Sequence, residues 1–124
     1  MYFLYILNSV IAQKYRFHGH GSLKYLFAHG KTVRSQHFGI RYVPNNRREN
    51  YGLAVIVSKK VAPLAVTRNR IRRRLFEQIR TQLPQDIGPV DMALVVYDKA
   101  VLSESPQQLE ASVGKLLQQI VKKT

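Results

Sequence analysis

YGLAVIVSKKVAPLAVTRNRIRRR, residues 51 to 74, passes from strand chemistry to helix chemistry within a few positions. Tyr51 to Val57 is a short, nearly continuous apolar run rich in β-branched residues, the pattern of a central strand covered on both faces. From about Val66 to Gln82 the period changes to that of a helix. At about 100° per residue, Ile71, Leu75, Phe76, Ile79 and Leu83 share one side, while Arg70, Arg73, Arg74 and Arg80 share the other. The helix therefore carries a cationic ridge opposite an apolar stripe. Arg68 and Arg72 fall inside or beside the apolar arc, where a guanidinium must find partners or bear a large desolvation cost.

Downstream, Met92 to Tyr97 (MALVVY) repeats the covered-strand pattern, so the basic helix lies between two strands. Pro106 to Lys122 is a core-packing helix. Ser105 and Gln108 have capping-box spacing, Pro106 takes the first helical position, and Leu109, Val113, Leu116, Leu117 and Ile120 line one face. Upstream, Ser22 is a candidate N-cap for a short helix with Leu23, Leu26 and Phe27 on its apolar side and Gly30 at its end. Val33 to Val43 alternates as a half-buried strand, with Phe38, Ile40 and Tyr42 on one face and His37, Gly39 and Arg41 on the other. Pro44-Asn45-Asn46 turns it. The order helix, strand or strands, basic helix, strand, helix predicts an α/β (α+β) two-layer sandwich on a small central sheet.

The 124 residues suffice for one domain with an ordinary core, burying about two thirds of the unfolded surface. Lys and Arg total 20 against 7 Asp and Glu, a net charge of +13, which points to a polyanionic partner. The absence of cysteine excludes disulfides, thiolate metal sites and a cysteine nucleophile, and fits a reducing, cytoplasmic setting. Residues 1 to 12, MYFLYILNSVIA, form the one long apolar stretch. As a helix they would reach about 18 Å, short of a hydrocarbon core of roughly 30 Å. They lack the leading cations and the cleavage site of a secretory signal. They read as an extra packed element or as an extension preceding the domain proper, which then spans residues 13 to 124; their removal is expected to leave activity intact.

Eight of the twenty cations, Lys59, Lys60, Arg68, Arg70, Arg72, Arg73, Arg74 and Arg80, fall in one short span opposed by Glu77 alone. A solvated face explains a ridge, but not arginines beside the core or the scarcity of acids to pair with them. Arginine's planar fork suits phosphate oxygens and stacks on bases. Lipid is the weaker alternative, because no Trp or bulky aromatic rim accompanies the ridge. Ser58 to Arg74, SKKVAPLAVTRNRIRRR, resembles the signature region of the protein subunit of bacterial ribonuclease P. There a V-S-K-K-like strand end, here Val57 to Lys60, is followed by an R-N-R-[IV]-[KR]-R run, here Arg68 to Arg73. The likeness extends more weakly from Tyr15 to Val121, through Phe27 to Gly30, an aromatic strand, Gly52 to Val55, and the closing strand and helix.

The resemblance implies a basic cofactor of an RNA enzyme that removes the 5′ leader of precursor tRNA, with hydrolysis performed by the RNA and its bound Mg²⁺. The protein would be a monomer in a 1:1 ribonucleoprotein with the catalytic RNA, away from membranes. It would hold no metal and no catalytic residue of its own. The contacts to the catalytic RNA would come from Lys59, Lys60, Arg68, Asn69, Arg70, Arg72, Arg73 and Arg74. The leader would lie between the first helix and the sheet, at Leu23, Phe27, Phe38 and Arg41. Leu23 stands where phenylalanine is common in the family, and Arg41 where tyrosine is common. A left-handed crossover through the arginine-rich helix is also implied, against the general rule. The residues themselves agree that the protein is no independent nuclease: Glu49, Glu77, Asp86, Asp91, Asp98, Glu104 and Glu110 are scattered without paired spacing. His18 and His20 form an H-x-H pair that His29 and His37 could approach in space, a weak signal for metal or acid/base chemistry. Charge and helix alone would equally permit a stand-alone RNA-binding or ribosome-associated protein.

Overall fold

Alternation of large apolar with small or polar residues builds the sheet on which the rest packs. The structure, a computed structural model, describes residues 20–45, 51–83 and 89–123. Its elements are α1 (His20–His29), β1 (Lys31–Arg34), β2 (Phe38–Pro44), β3 (Gly52–Ile56), α2 (Ala65–Gln82), β4 (Val90–Val96), a 3-10 helix (Lys99–Ser103) and α3 (Pro106–Lys123). The sheet order is β1-β2-β4-β3. β1 with β2 and β2 with β4 are antiparallel, and β3 with β4 is parallel. The arginine-rich α2 is thus the crossover between two parallel neighbours.

One sheet face carries Phe38, Ile40, Tyr42, Leu53, Val55, Met92, Leu94 and Val96. Against them pack Ile71, Leu75 and Ile79 of α2 and Leu109, Val113, Leu116, Leu117 and Ile120 of α3. Each large side chain buried here contributes roughly 1.5–3 kcal/mol. α3 begins as its sequence predicts: the Ser105 N–H donates to Gln108 Oε1 at 2.9 Å, and the Gln108 N–H donates to Ser105 Oγ at 3.1 Å. On the opposite face, Leu23 and Leu26 of α1 cover Ala54 and Ala93, which are register partners. Two alanines side by side let the helix sit low on the sheet.

The span 33–43, expected as one strand, is a hairpin. Val33 pairs with Ile40 and Arg34 with Gly39, and the Ser35 N–H and Oγ both donate to the Phe38 carbonyl, at 2.8 and 3.0 Å. Ser35-Gln36-His37 holds no Gly or Pro to mark a turn, and the polar run Arg34 to His37 is the one local sign that the alternation breaks there. β3, expected in the centre, is an edge strand; helices on both faces give it a central strand's composition. Ser22 is not the cap of α1 but lies within it, because the helix starts at His20. Gly30 closes α1 by donating its N–H to Leu26 O at 2.8 Å. Space demands the glycine: an added Cβ would sit 2.5 Å from that same carbonyl oxygen. Residues 1 to 12 lie outside the described residues.

Candidate nucleic-acid interface

The chain turns out of β3 at Ser58, whose carbonyl accepts from the Ala62 N–H at 3.0 Å and whose Oγ accepts from the Val61 N–H at 3.2 Å. This turn exposes Lys59 and Lys60. α2 then divides its arginines between two tasks. Arg68 is 7 % exposed, and its Nη1 donates to Ala62 O at 2.9 Å and Pro63 O at 2.8 Å, fastening the crossover's entry. Arg74, expected on the ridge, turns to the loop beyond β4: Nη1 donates to Val101 O and Leu102 O at 3.2 and 3.0 Å, and Nη2 to Glu104 O. These are the carbonyls at the C-terminal end of the 3-10 helix, which favours a cation. Arg80 is held by both oxygens of Glu77 at 2.8 Å. That contact keeps the Glu77 carboxyl below its ordinary range, chiefly through the hydrogen bond from Arg80.

What remains facing outward is Asn69, Arg70 and Arg73, with Arg72 half-buried beside them. Arg72 donates to Asn69 Oδ1, and burial, followed by repulsion from Arg68, lowers its pKa from the ordinary guanidinium value. Asn69, Arg70 and Arg73 are spaced to share one exposed stripe of the helix. With Glu77 engaged by Arg80, no acid in α2 opposes their field. The eight residues expected to touch RNA are therefore not equivalent: Arg68 and Arg74 brace the fold, and Lys59, Lys60, Asn69, Arg70 and Arg73 present their side chains.

The expected leader residues divide as well. Leu23 and Phe38 are both 0 % exposed and offer no surface to a ligand. Leu23 belongs to the contact between α1 and the sheet, and Phe38 points into the main core. Phe27 is partly open. Arg41 caps α1: Nε donates to Leu26 O at 3.1 Å, Nη2 to Phe27 O at 2.8 Å, and Nη1 to Thr32 Oγ1 at 2.8 Å. It stands in a cross-strand row, Thr32, Arg41, Ala93, Ala54, that α1 covers. The parallel row Arg34, Gly39, Val95, Ile56 is only partly covered. There the Tyr97 hydroxyl lies against Gly39, 2.4 Å from where a Cβ would stand, and the Arg34 guanidinium lies 5.8 Å from the ring's centre. Tyr97 is 44 % exposed. Sequence reading missed this ring and its cation, although a glycine inside a strand signals that something approaches closely.

His29 packs on Tyr25 with the rings tilted and their centres 4.5 Å apart. His37 lies 3.9 Å from Asp98 Oδ2 and 3.8 Å from Glu104 Oε1, on opposite ring nitrogens. His18 and the His20 side chain lie outside the described residues. Among those described, no group of three or more His, Asp or Glu side chains is placed to hold a metal ion, and no helix is long and apolar enough to cross a membrane.

The Ribonuclease P family model matches residues 11–121. The ribonuclease P protein component of Desulfosudis oleivorans is 37 % identical over 91 residues, covering 73 % of each chain. That of Roseiflexus castenholzii is 36 % identical over 89 residues, covering 72 % of this chain and 71 % of the relative. In three dimensions, the Staphylococcus aureus RNase P protein superposes with a TM-score of 0.70 at 20 % identity, over 84 % of this chain and 93 % of the other. The Thermotoga maritima protein gives 0.71 at 19 %, over 84 % and 96 %. These two share the fold, an α+β sandwich on a four-stranded sheet, and the sequence relationship does the rest: the chain belongs to the ribonuclease P protein family.

Proposed function

We propose that this chain is the protein subunit of a bacterial ribonuclease P, and that it promotes endonucleolytic removal of the 5′ leader from precursor tRNA. One observation carries the reading beyond family membership: the crossover helix presents Arg70 and Arg73 outward beside Asn69, with Lys59 and Lys60 at its entry, and no uncommitted acid on that helix. Such a face neutralises phosphates of the catalytic RNA, releasing counterions as it binds. The hydrolysis belongs to that RNA and the Mg²⁺ it holds. The protein's part is to bring two polyanions together at modest Mg²⁺, as one monomer per RNA.

The leader runs across the other sheet face, over the partly open row beside Tyr97. A single strand binds well to an exposed ring with cations nearby, in a mode that tolerates many sequences. Tyr97 supplies the ring, and Arg34 and Arg41 the charge. Arg41 has five N–H donors and uses three inside the protein, which leaves two for a phosphate. The deciding experiment is 5′-leader cleavage at low Mg²⁺ with protein alone, a bacterial ribonuclease P RNA alone, and both together. Rescue in the mixture alone is expected. Cleavage by the protein alone would make it a nuclease in its own right. RNA binding without rescue by a cognate RNA would make it a general RNA-binding protein.

A further inference from the structure

Leu64 and Val66 are 70 % and 71 % exposed, more than any other large apolar side chain among the described residues. Pro63, Leu64, Ala65 and Val66 are all exposed in succession. Scattered exposed aliphatics are ordinary on a protein surface, but a run of four is a liability unless something uses it. Local structure does not ask for these residues. Leu64 occupies the N-cap of α2 with φ −84° and ψ 131° and makes no side-chain cap, at a position where Ser, Thr, Asp or Asn would satisfy a free N–H.

Their placement says what the surface meets. Val66 precedes Asn69, Arg70 and Arg73 by three, four and seven residues, so all four share one exposed stripe of α2, and Leu64 is the exposed N-cap residue just before the helix. No acid occurs in the sequence between Glu49 and Glu77. A ligand for this stripe has anionic groups at one-turn spacing and an apolar face next to them. RNA has both: phosphates for the arginine forks, and the flat face of an unstacked base or the carbon edge of a ribose. Leu and Pro are among the apolar side chains that proteins wedge between bases, and Val offers a similar aliphatic surface. Resting on the function proposed above, we infer that Leu64 and Val66 form an apolar contact with an unpaired nucleotide of the catalytic RNA, adjoining the phosphates held by Arg70 and Arg73.

An apolar contact releases no counterions, and that separates it from its neighbours. The experiment measures binding of the full chain to a bacterial ribonuclease P RNA across a salt series, for wild type, Leu64→Ser/Val66→Ser, Leu64→Met/Val66→Ile and Arg70→Ala. The serine pair should bind about tenfold more weakly at every salt concentration, with the salt slope unchanged and thermal unfolding no earlier than wild type, since a serine at position 64 can cap α2. The Met/Ile pair should bind as wild type. Arg70→Ala should instead flatten the slope by about one ion. Wild-type affinity in the serine pair overturns the contact while leaving the function proposal in place. Wild-type affinity together with loss of a dimer in sedimentation assigns the face to a second copy of the chain, and overturns it too. If wild type itself does not bind this RNA, the function proposal falls first and the contact falls with it.

Discussion

Arg68 and Arg70, two residues apart, show how one side-chain type serves opposite purposes according to where its fork ends. Arg68 is buried and satisfies two carbonyls of the crossover's entry, whereas Arg70 points to solvent. Arg68→Ala leaves Ala62 O and Pro63 O short of a donor and is expected to cost about 2 kcal/mol or more, read as a lower midpoint in urea unfolding without RNA. Arg70→Ala should leave that midpoint in place. Tyr42 makes the reverse case. It is 2 % exposed and its hydroxyl has no hydrogen-bond partner among the described residues, a polar atom buried at a loss. Burial pushes the phenol's pKa up from its ordinary value near 10. With the folded value raised, the neutral hydroxyl's contribution is whole below the unfolded pKa and is lost as pH rises through the folded one. Tyr42→Phe should therefore raise stability by about 1 kcal/mol at neutral pH and blunt the alkaline loss above pH 10. A Phe variant that unfolds earlier than wild type at pH 7, or with the same alkaline profile, would show that the hydroxyl has found a partner.

At the scale of elements, α2 and α3 differ in how much of their role is local. α3 is self-specifying: its cap, its first proline and its stripe lie within its own sequence, and every one is realised. Ser105→Ala should cost about 1 kcal/mol by removing one half of the capping box, measured by thermal unfolding. The stripe of α2 was equally legible, since Ile71, Leu75, Ile79 and Leu83 are all buried. Its polar side was not, because helical periodicity places a side chain on a face without saying what lies across from it. Arg74 turns inward to meet carbonyls 27 to 30 residues further along, a partnership set by the path of the 3-10 helix. The β1–β2 turn was missed for a local reason, the lack of Gly or Pro at 35–37, and the edge position of β3 for a tertiary one, the helices on both its faces. On the proposed function, the sorting of α2 means that its cations should contribute unequally to RNA binding. Arg70→Ala and Arg73→Ala should each lower the slope of log affinity against log salt by about one. Arg80→Ala, already neutralised by Glu77, should change it much less.

Across the whole molecule, the sheet separates two surfaces of different chemistry. α2 and α3 fill one face, and the ridge proposed to meet the catalytic RNA lies on the outer side of α2. α1 covers only part of the other face, held down by Leu23 and Leu26 on paired alanines and by the Arg41 cap on its last turn. Coverage ends where Gly39 makes room for Tyr97, so the partly open row is a product of the same packing that fixes α1. If the two surfaces hold two RNAs, changes on one should leave the other's binding nearly additive, because the core between them is shared but the contacts are not. Tyr97→Ala should weaken holoenzyme binding to a precursor with a leader several nucleotides long by about tenfold, the worth of one stacked base. It should leave affinity for the catalytic RNA and its salt slope unchanged, and should not affect a precursor whose leader is a single nucleotide. The double variant Tyr97→Ala/Arg70→Ala should show both losses at their separate sizes. Equal weakening on long and single-nucleotide leaders would place Tyr97 away from the leader, and a loss of catalytic RNA affinity would show that the two surfaces are one.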